Sequence, residues 1–158
     1  MDFEEHAAKP LLRAAGIETP KGKIARSSVE AAQIVETLGA AVIKAQVPTG
    51  KRGKAGGIAL VSSPQEAKAE AERILQLKIG DHDVASLLIE EQVGIEKEYY
   101  LAILNDTASK GPLLLFSSEG GMDIEEIAES HPQALTRIEL DIRSAPDLTL
   151  FKDKLPTV

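Results

Sequence analysis

The chain has 158 residues, of which 43% are hydrophobic, so it is long enough to bury one core and is near the usual size of a single domain. Its formal net charge of -7, from 25 acidic and 18 basic side chains, argues against a surface built mainly to bind nucleic acid. The sequence has no cysteine, which excludes disulfides and thiolate chemistry. The N-terminal residues lack the basic start and apolar run of a secretory signal, and no apolar stretch is long enough to span a membrane. A cytoplasmic protein without membrane contact is expected.

The first predicted helix lies within 3–15. Pro10 falls inside it, and a proline removes one internal hydrogen bond and clashes with the preceding turn. A kink or a break is therefore expected at Pro10. Gly16 follows the last helical residues and predicts where the helix ends.

Two further helices are predicted from the same motif at their start. Ser27-Ser28-Val29-Glu30 has the spacing of a capping box, and Gly39 is placed to stop the helix that follows. Ser63-Pro64-Gln65-Glu66 repeats the motif with proline at the first helical position, which predicts a helix over about 64–77.

Between these two helices, the segment 41–47 is predicted to be a strand. Side chains alternate between the two faces of a strand, so Lys44 and Gln46 are expected on one face and Ile43 and Ala45 on the other. A lysine in such a strand is either a functional cation or a solvated edge residue.

Later in the chain, 86–91, 98–104 and 113–117 are short segments rich in Leu, Ile and Tyr, as is typical of strands. The segment 105–112 between the last two predicts a hairpin connection. The expected sheet is therefore mixed, with antiparallel neighbours and flanking helices.

The segment 48–57 is the strongest local motif of the sequence. Its four glycines allow backbone amides to approach a polyphosphate, and Lys51, Arg52 and Lys54 supply positive charge. The P-loop pattern is not met, and the dinucleotide-binding fingerprint fails because a strand is predicted after the loop. A flexible basic hairpin loop is the alternative, but Lys44 on the strand just before it favours a phosphate site.

These residues resemble a known family. Residues 44–47 with 50–57 look like the lysine strand and glycine-rich loop of succinyl-CoA synthetase β subunits, which are ADP-forming acyl-CoA ligases. The segments 8–22 and 118–125 are also similar to that family, in the same order along the chain. The resemblance covers roughly residues 1–140, which is less than half of a complete β subunit.

The resemblance implies the ATP-grasp fold, an α/β (α+β) architecture in which two lobes hold a nucleotide. This chain would contain the first lobe and part of the second, with a mixed and largely antiparallel sheet and flanking helices. We expect 1–143 to form this incomplete nucleotide-binding portion, and 144–158 to be a linker or a truncated end.

The resemblance assigns nucleotide binding to seven residues, namely Lys44, Lys51, Arg52, Gly53, Glu90, Val93 and Glu98. Lys44 matches the lysine that meets the ATP phosphates, and Lys51, Arg52 and Gly53 match the phosphate loop. Glu90 matches a hinge glutamate beside adenine, Val93 the position that contacts the base through the main chain, and Glu98 a second glutamate of the pocket. The alternative for both glutamates is an ordinary exposed acid.

The loop also departs from the succinyl-CoA synthetase pattern. Pro48 stands where that family usually has histidine, Lys51 replaces a glycine, and Val93 replaces a small polar residue. ATP-citrate lyase, a member of the family, has Lys-Arg-Arg-Gly-Lys in this loop, so residues 51–54 leave this branch, malate-CoA ligase and citryl-CoA synthetase all open. The carboxylic acid substrate is accordingly not predicted.

The resemblance further implies ATP or GTP as the nucleotide, and Mg²⁺ held by Asn and Asp ligands beyond residue 158. The expected partner is an α subunit that carries the coenzyme A site and the phosphoacceptor histidine. That histidine passes the phosphoryl group to a small carboxylate, from which coenzyme A displaces it. No residue of this chain is assigned to catalysis or metal binding, and His6, His82 and His131 are expected at the surface or at helix caps.

Two alternatives of other classes remain. Without the metal ligands, the chain is expected to be inactive by itself, so it could be a stand-alone, non-catalytic nucleotide-binding or assembly module. An ATP-grasp ligase that joins a carboxylate to an amine would share the lobe but would need neither coenzyme A nor an α subunit.

Overall fold

The structure, a computed structural model, describes residues 3–121, 124–144 and 149. It divides into two compact units, Met1–Gly94 and Ile95–Val158. The helices are α1 (Glu5–Ala14), α2 (Ser28–Leu38), α3 (Pro64–Leu75) and α4 (Ile124–Ser130). The strands are β1 (Gly22–Ala25), β2 (Ala41–Gln46), β3 (Ile58–Val61), β4 (Lys78–Ile79), β5 (His82–Asp83), β6 (Ser86–Glu91), β7 (Tyr100–Asp106), β8 (Gly111–Ser117) and β9 (Leu135–Glu139). Over the described ranges, no helix has the length and apolar character needed to cross a membrane.

The first unit is built on a four-stranded sheet in the order β1-β6-β2-β3. The central strand β2 pairs with β6 along its whole length and with β3, which follows it across the glycine-rich loop. β4 and β5 form a separate two-stranded ribbon. Every strand pair formed by the described residues is antiparallel, which confirms the antiparallel neighbours predicted from the sequence.

Helices α2 and α3 begin at the two predicted capping boxes. The hydroxyl of Ser27 accepts the N–H of Glu30 at 3.2 Å, and the hydroxyl of Ser63 accepts the N–H of Glu66 at 3.2 Å. α2 ends before Gly39, whose φ of 79° lies in the left-handed region that glycine adopts readily. Local sequence motifs therefore determine where these two helices begin and where α2 ends.

The core of the first unit lies between the sheet and the pair α2 and α3. The two helices contribute Val35 and Ile74, and the strands contribute Ile43, Leu87 and Ile89, all of them fully buried. Each side chain of this size stabilises the fold by about 1.5–3 kcal/mol when it is removed from water. This packing holds β2 rigidly at the centre of the sheet.

The opposite face of the sheet is covered by α1. As the period of two predicts, Ile43 and Ala45 enter the core, whereas Lys44 and Gln46 point to the other face and contact α1. The oxygen Oε1 of the buried Gln46 accepts the backbone N–H of His6 at 3.0 Å. This bond anchors the first turn of α1 to β2.

Helix α1 runs through Pro10 without a break, so of the kink or break expected from the sequence, the break does not occur and the kink stays a prediction. Pro10 removes only the hydrogen bond that its N–H would donate to the carbonyl of His6 in the first turn. Contacts of α1 with the sheet hold the helix instead. The predicted end is confirmed, because the helix stops at Ala14 and Gly16 follows with φ of 81°.

The second unit contains the antiparallel sheet β7-β8-β9. β7 and β8 form the predicted hairpin, although its connection is shorter than expected, because pairing continues to Asp106 and Gly111. Tyr99 packs on Phe116 with ring centroids 5.8 Å apart. Apart from 144 and 149, the segment 144–158 expected to be a linker or end lies outside the described residues.

Candidate functional site

Lys44 lies at the centre of a charged cluster on the α1 side of the sheet. Its ammonium nitrogen is 2.9 Å from Oε1 of Glu5 on α1 and 2.8 Å from Oε2 of Glu90 on β6. β2 pairs with β6 so that Lys44 lies opposite Leu88, two residues before Glu90. The central strand therefore fixes the backbone of Lys44, and two carboxylates fix its ammonium group.

The glycine-rich loop, 48–57, follows the end of β2 at Gln46, two residues after Lys44, and leads into β3. Two backbone hydrogen bonds close its base, from Ala45 N–H to the Gly57 carbonyl at 2.7 Å and from Gly57 N–H to the Arg52 carbonyl at 2.8 Å. The guanidinium of Arg52 turns back to the strand, where Nη1 donates to the Ala45 carbonyl at 3.1 Å. The loop therefore folds over the end of β2 and brings Arg52 near Lys44.

Lys44 and Arg52 converge on a single carboxylate, that of Glu5. Lys44 Nζ bonds to Oε1 at 2.9 Å, and Arg52 Nη2 bonds to Oε2 at 3.0 Å. All three side chains are between 22% and 24% exposed, so the pairing occurs at a partly open surface. Such a pair of donors binds a group with two or more anionic oxygens, because each cation engages a different oxygen.

Glu90 occupies the buried side of the cluster. Its carboxylate is only 1% exposed and forms ion pairs with the ammonium groups of Lys9 and Lys44. Lys9 also lies 3.4 Å from Glu5, one helical turn away on α1. The cluster combines three cations with two carboxylates, which leaves one positive charge in excess.

The charges of the cluster reinforce one another. Burial by itself lowers the pKa of Lys44, but the bonds to Glu90 and Glu5 and their negative charges outweigh burial and raise that pKa above its ordinary value. Burial likewise raises the pKa of Glu5, but the bond from Lys44 and the charges of Lys44, Arg52 and Lys9 hold it below its ordinary value. Lys44 is therefore cationic and Glu5 anionic at neutral pH.

The structure brings together three of the seven residues singled out from the sequence. Lys44, Arg52 and Glu90 meet within the cluster, although Glu90 meets it as the buried partner of two lysines. Lys51 and Gly53 are exposed residues of the glycine-rich loop. Val93 is exposed and lies after the end of β6.

Glu98 belongs to the second unit and packs against a glycine pair there. A β-carbon placed on Gly121 would lie 2.6 Å from Oε2 of Glu98, and one on Gly120 would lie 2.6 Å from its backbone carbon. The clash at Gly120 is with the backbone, so glycine is required there, whereas the end of the Glu98 side chain could move away from Gly121, where the φ of 73° is what favours glycine. The position of Glu98 as a site residue stays a prediction.

Sequence reasoning missed Glu5 and Lys9. The spacing of four residues places both on one face of α1, which is a signal that can be read from the sequence. What could not be read is that this face covers Lys44, 39 residues away from Glu5 along the chain. Among the described residues, no group of three His, Asp or Glu side chains is arranged to hold a metal ion.

Comparisons with known proteins agree with this fold. Residues 2–153 match the family of the ATP-grasp domain. Among solved structures, the chain is similar to the dinucleotide-forming acetyl-coenzyme A synthetase 1 of Ca. Korarchaeum cryptofilum, in complex with coenzyme A, Ca-AMPCP and HgCl⁺. The TM-score is 0.73 at 20% identity, over 98% of this chain and 67% of that chain. This likeness supports the fold alone.

Two curated relatives are much closer in sequence. The chain is 49% identical over 142 residues to the β subunit of the ADP-forming succinate–CoA ligase of Rubrobacter xylanophilus, covering 89% of this chain and 37% of that protein. It is 44% identical over 142 residues to the β subunit of the GDP-forming succinate–CoA ligase of Thermus thermophilus, covering 89% of this chain and 38% of that protein. The chain thus spans less than two fifths of the length of these relatives.

Proposed function

The chain belongs to the ATP-grasp domain family, and we propose that it is the nucleotide-binding part of the β subunit of an ADP-forming carboxylate–CoA ligase of the succinate–CoA ligase type. Such an enzyme couples cleavage of a nucleoside triphosphate to thioester formation between a carboxylic acid and coenzyme A. We assign the phosphates of the nucleotide to the Lys44 and Arg52 side of the first unit.

One observation carries the nucleotide-binding part of this proposal. Lys44 and Arg52 direct their charged donors at two oxygens of one carboxylate, beside a loop of four glycines. A phosphate group presents the same kind of paired anionic oxygens as that carboxylate, with more charge. The two cations stand on a central strand and on a closed loop, so their positions require little ordering when a phosphate binds.

The remaining assignments within the nucleotide site rest on the family resemblance. Lys51 and Gly53 would line the phosphate loop, and Val93 and Glu98 would lie on the side of the base. Glu90 is supported in a modified role, because its buried carboxylate contacts Lys44 and Lys9. We therefore assign to Glu90 the role of holding Lys44 toward the phosphates, in addition to the hinge position beside adenine that the resemblance implies.

The proposed enzyme also needs a metal ion and a partner subunit. We propose Mg²⁺ as the ion that neutralises phosphate oxygens during transfer, and an α subunit that binds coenzyme A and carries the phosphoacceptor histidine. Relatives with both ADP-forming and GDP-forming names leave the base open, and the carboxylic acid is also open. The cytoplasmic location expected from the sequence remains part of the proposal.

Calorimetric titration of ADP into the 158-residue chain tests the nucleotide site. Lys44→Met removes one charge-assisted contact, worth roughly 1.5–3 kcal/mol, and should weaken binding by about one to two orders of magnitude. Lys68→Met is the matched control, because Lys68 is an exposed lysine on α3 outside the cluster. Equal affinities for both variants, with both folded by circular dichroism, would refute the phosphate assignment.

A second experiment separates the proposed ligase from the two alternatives. Co-purification with a coenzyme A-binding α subunit supports the carboxylate–CoA ligase. A carboxylate–amine ligase would be indicated by ADP release with an amine acceptor and without such a partner. A stand-alone module would bind nucleotide and give neither result.

A further inference from the structure

Glu5 forms ion pairs with both of the cations, Lys44 and Arg52, to which we assign the phosphates of the nucleotide. Each of its carboxylate oxygens takes one cation, Oε1 with Lys44 at 2.9 Å and Oε2 with Arg52 at 3.0 Å. Glu5 is not one of the residues that the family resemblance assigns to the site. A carboxylate that uses both oxygens in this way satisfies the same donors that a phosphate would use.

A phosphate and the Glu5 carboxylate do not fit the same two donors together. Two anions that share one site repel each other strongly at the reduced dielectric of a partly buried cluster. Of the two acids in the cluster, Glu90 is the one that stays, because it is buried to 1% exposure on the far side of Lys44. The Glu5 side chain is 22% exposed, so it is the more accessible of the two acids and the one that can leave toward solvent.

The cluster also offers Glu5 a partner after it leaves. Lys9 lies 3.4 Å from Oε1 of Glu5 at the i,i+4 position of the same helix, so this ion pair can persist when the other two are broken. Departure of Glu5 does not release α1 either. The helix remains anchored by the bond from His6 N–H to Gln46 and by the buried ion pair of Lys9 with Glu90.

We propose that Glu5 is a resident counter-ion of the phosphate site, which occupies the place of a nucleotide phosphate in the ligand-free chain and is displaced when that phosphate binds. This inference rests on the proposed function. Glu5 lowers the affinity for nucleotide, because each binding event must first break its bonds to Lys44 and Arg52. In return, it keeps the two cations paired and in position while no ligand is bound.

The test compares Glu5→Gln with Glu4→Gln in titrations of ADP, inorganic tripolyphosphate and adenosine without divalent metal. Both variants remove one negative charge, from adjacent positions, but Glu4 pairs with His6, whereas Glu5 pairs with Lys44 and Arg52. We expect Glu5→Gln to bind ADP and tripolyphosphate about tenfold more tightly than Glu4→Gln does. Adenosine affinity should be the same for both, because adenosine has no phosphate.

A second variant, Glu5→Asp, keeps the negative charge but shortens the side chain by one methylene, which weakens its contacts with Lys44 and Arg52. Its affinity for ADP and tripolyphosphate should therefore lie between those of wild type and Glu5→Gln. Binding by wild type with no gain in Glu5→Gln over Glu4→Gln overturns this inference and leaves the proposed function standing. No binding of ADP or tripolyphosphate by any of the proteins overturns both this inference and the assignment of the nucleotide phosphates to Lys44 and Arg52. If Glu5→Gln does not fold, the order of wild type and Glu5→Asp decides the question.

Discussion

The ammonium nitrogen of Lys44 lies 2.8 Å from the carboxylate of Glu90, which is 1% exposed and also pairs with Lys9. A carboxylate buried to this extent is tolerated only when its charge is compensated. Glu90 and the lysines therefore depend on one another. The ion pairs with Lys9 and Lys44 therefore hold Lys44 in position and also compensate the buried charge of Glu90.

Replacing Glu90 with glutamine is expected to destabilise the protein. Lys9 and Lys44 would then share Glu5 as their remaining carboxylate, and removal of one member of a buried pair costs about 3–5 kcal/mol. Urea unfolding followed by circular dichroism measures the loss. Glu72→Gln, at an exposed position of α3, is the control and should change stability by less than about 0.5 kcal/mol. Similar midpoints for the two variants would contradict a structural role of Glu90.

The pKa of Glu5 predicts how stability depends on pH. The folded state holds this pKa below its ordinary value of 4.5, so the unfolded chain binds the proton more readily. The stability due to the Glu5 charge is therefore present above pH 4.5 and is lost as the pH falls through the folded pKa. Glu5→Gln should be less stable than wild type at pH 7, and the difference should shrink toward pH 3. A difference that is constant from pH 7 to pH 3 would show that the charge of Glu5 is not responsible.

Gly57 is the position of the loop that tolerates a side chain least. A β-carbon there would lie 3.1 Å from the Arg52 carbonyl oxygen, 3.1 Å from Cβ of Ala45 and 2.8 Å from Cδ1 of Ile79. The methyl group of Ile79 can move, but the other two atoms belong to the base of the loop. Gly57→Ala should therefore cost about 1–3 kcal/mol in thermal unfolding, and ADP affinity should fall with it.

Gly50 provides the control for Gly57, because a β-carbon there would meet no atom within 4 Å and its φ is outside the left-handed region. Gly50→Ala should be neutral or stabilising by up to about 1 kcal/mol. Equal melting temperatures for the two alanine variants would mean that the atoms around Gly57 move to accommodate a β-carbon at little cost, and would contradict the prediction for Gly57→Ala.

The parts of the fold that were predicted correctly depend on local patterns. The alternation along 41–47 put Lys44 on the face opposite Ile43, and the serine of each capping box marked the start of a helix. Such patterns need only residues that are neighbours along the chain. The outcome at Pro10 was missed for the opposite reason, since contacts with the sheet keep α1 helical through it.

The incomplete part of the site prediction concerns residues that are distant along the chain. Lys44 and Arg52 were identified from one continuous segment, whereas Glu5 reaches them from another element 39 and 47 residues away. No spacing rule indicates which helix covers the polar face of a central strand. The paired role of Glu90 could not be read either, because it depends on burial, and its sequence neighbour Glu91 is another glutamate.

The backbone of Lys51 adopts a left-handed conformation, at a position where the family resemblance implies glycine. Its φ of 62° lies in the left-handed region, which costs a residue with a β-carbon about 1–2 kcal/mol. Lys51→Gly removes both the β-carbon and the charge, whereas Lys51→Ala removes the charge alone. Because relief of the strain exceeds the extra chain entropy of glycine, Lys51→Gly should be more stable than Lys51→Ala by about 0.5–1 kcal/mol in urea unfolding.

The same pair of variants separates the backbone of Lys51 from its charge in nucleotide binding. Both variants lose the ammonium group, so a phosphate contact of Lys51 predicts an equal loss of ADP affinity in the two, measured by calorimetry. If the conformation of the loop matters instead, Lys51→Gly and Lys51→Ala will differ in affinity as they do in stability. An alanine variant as stable as the glycine variant would mean that the loop relaxes out of the left-handed conformation, and the strain argument for this position would fail.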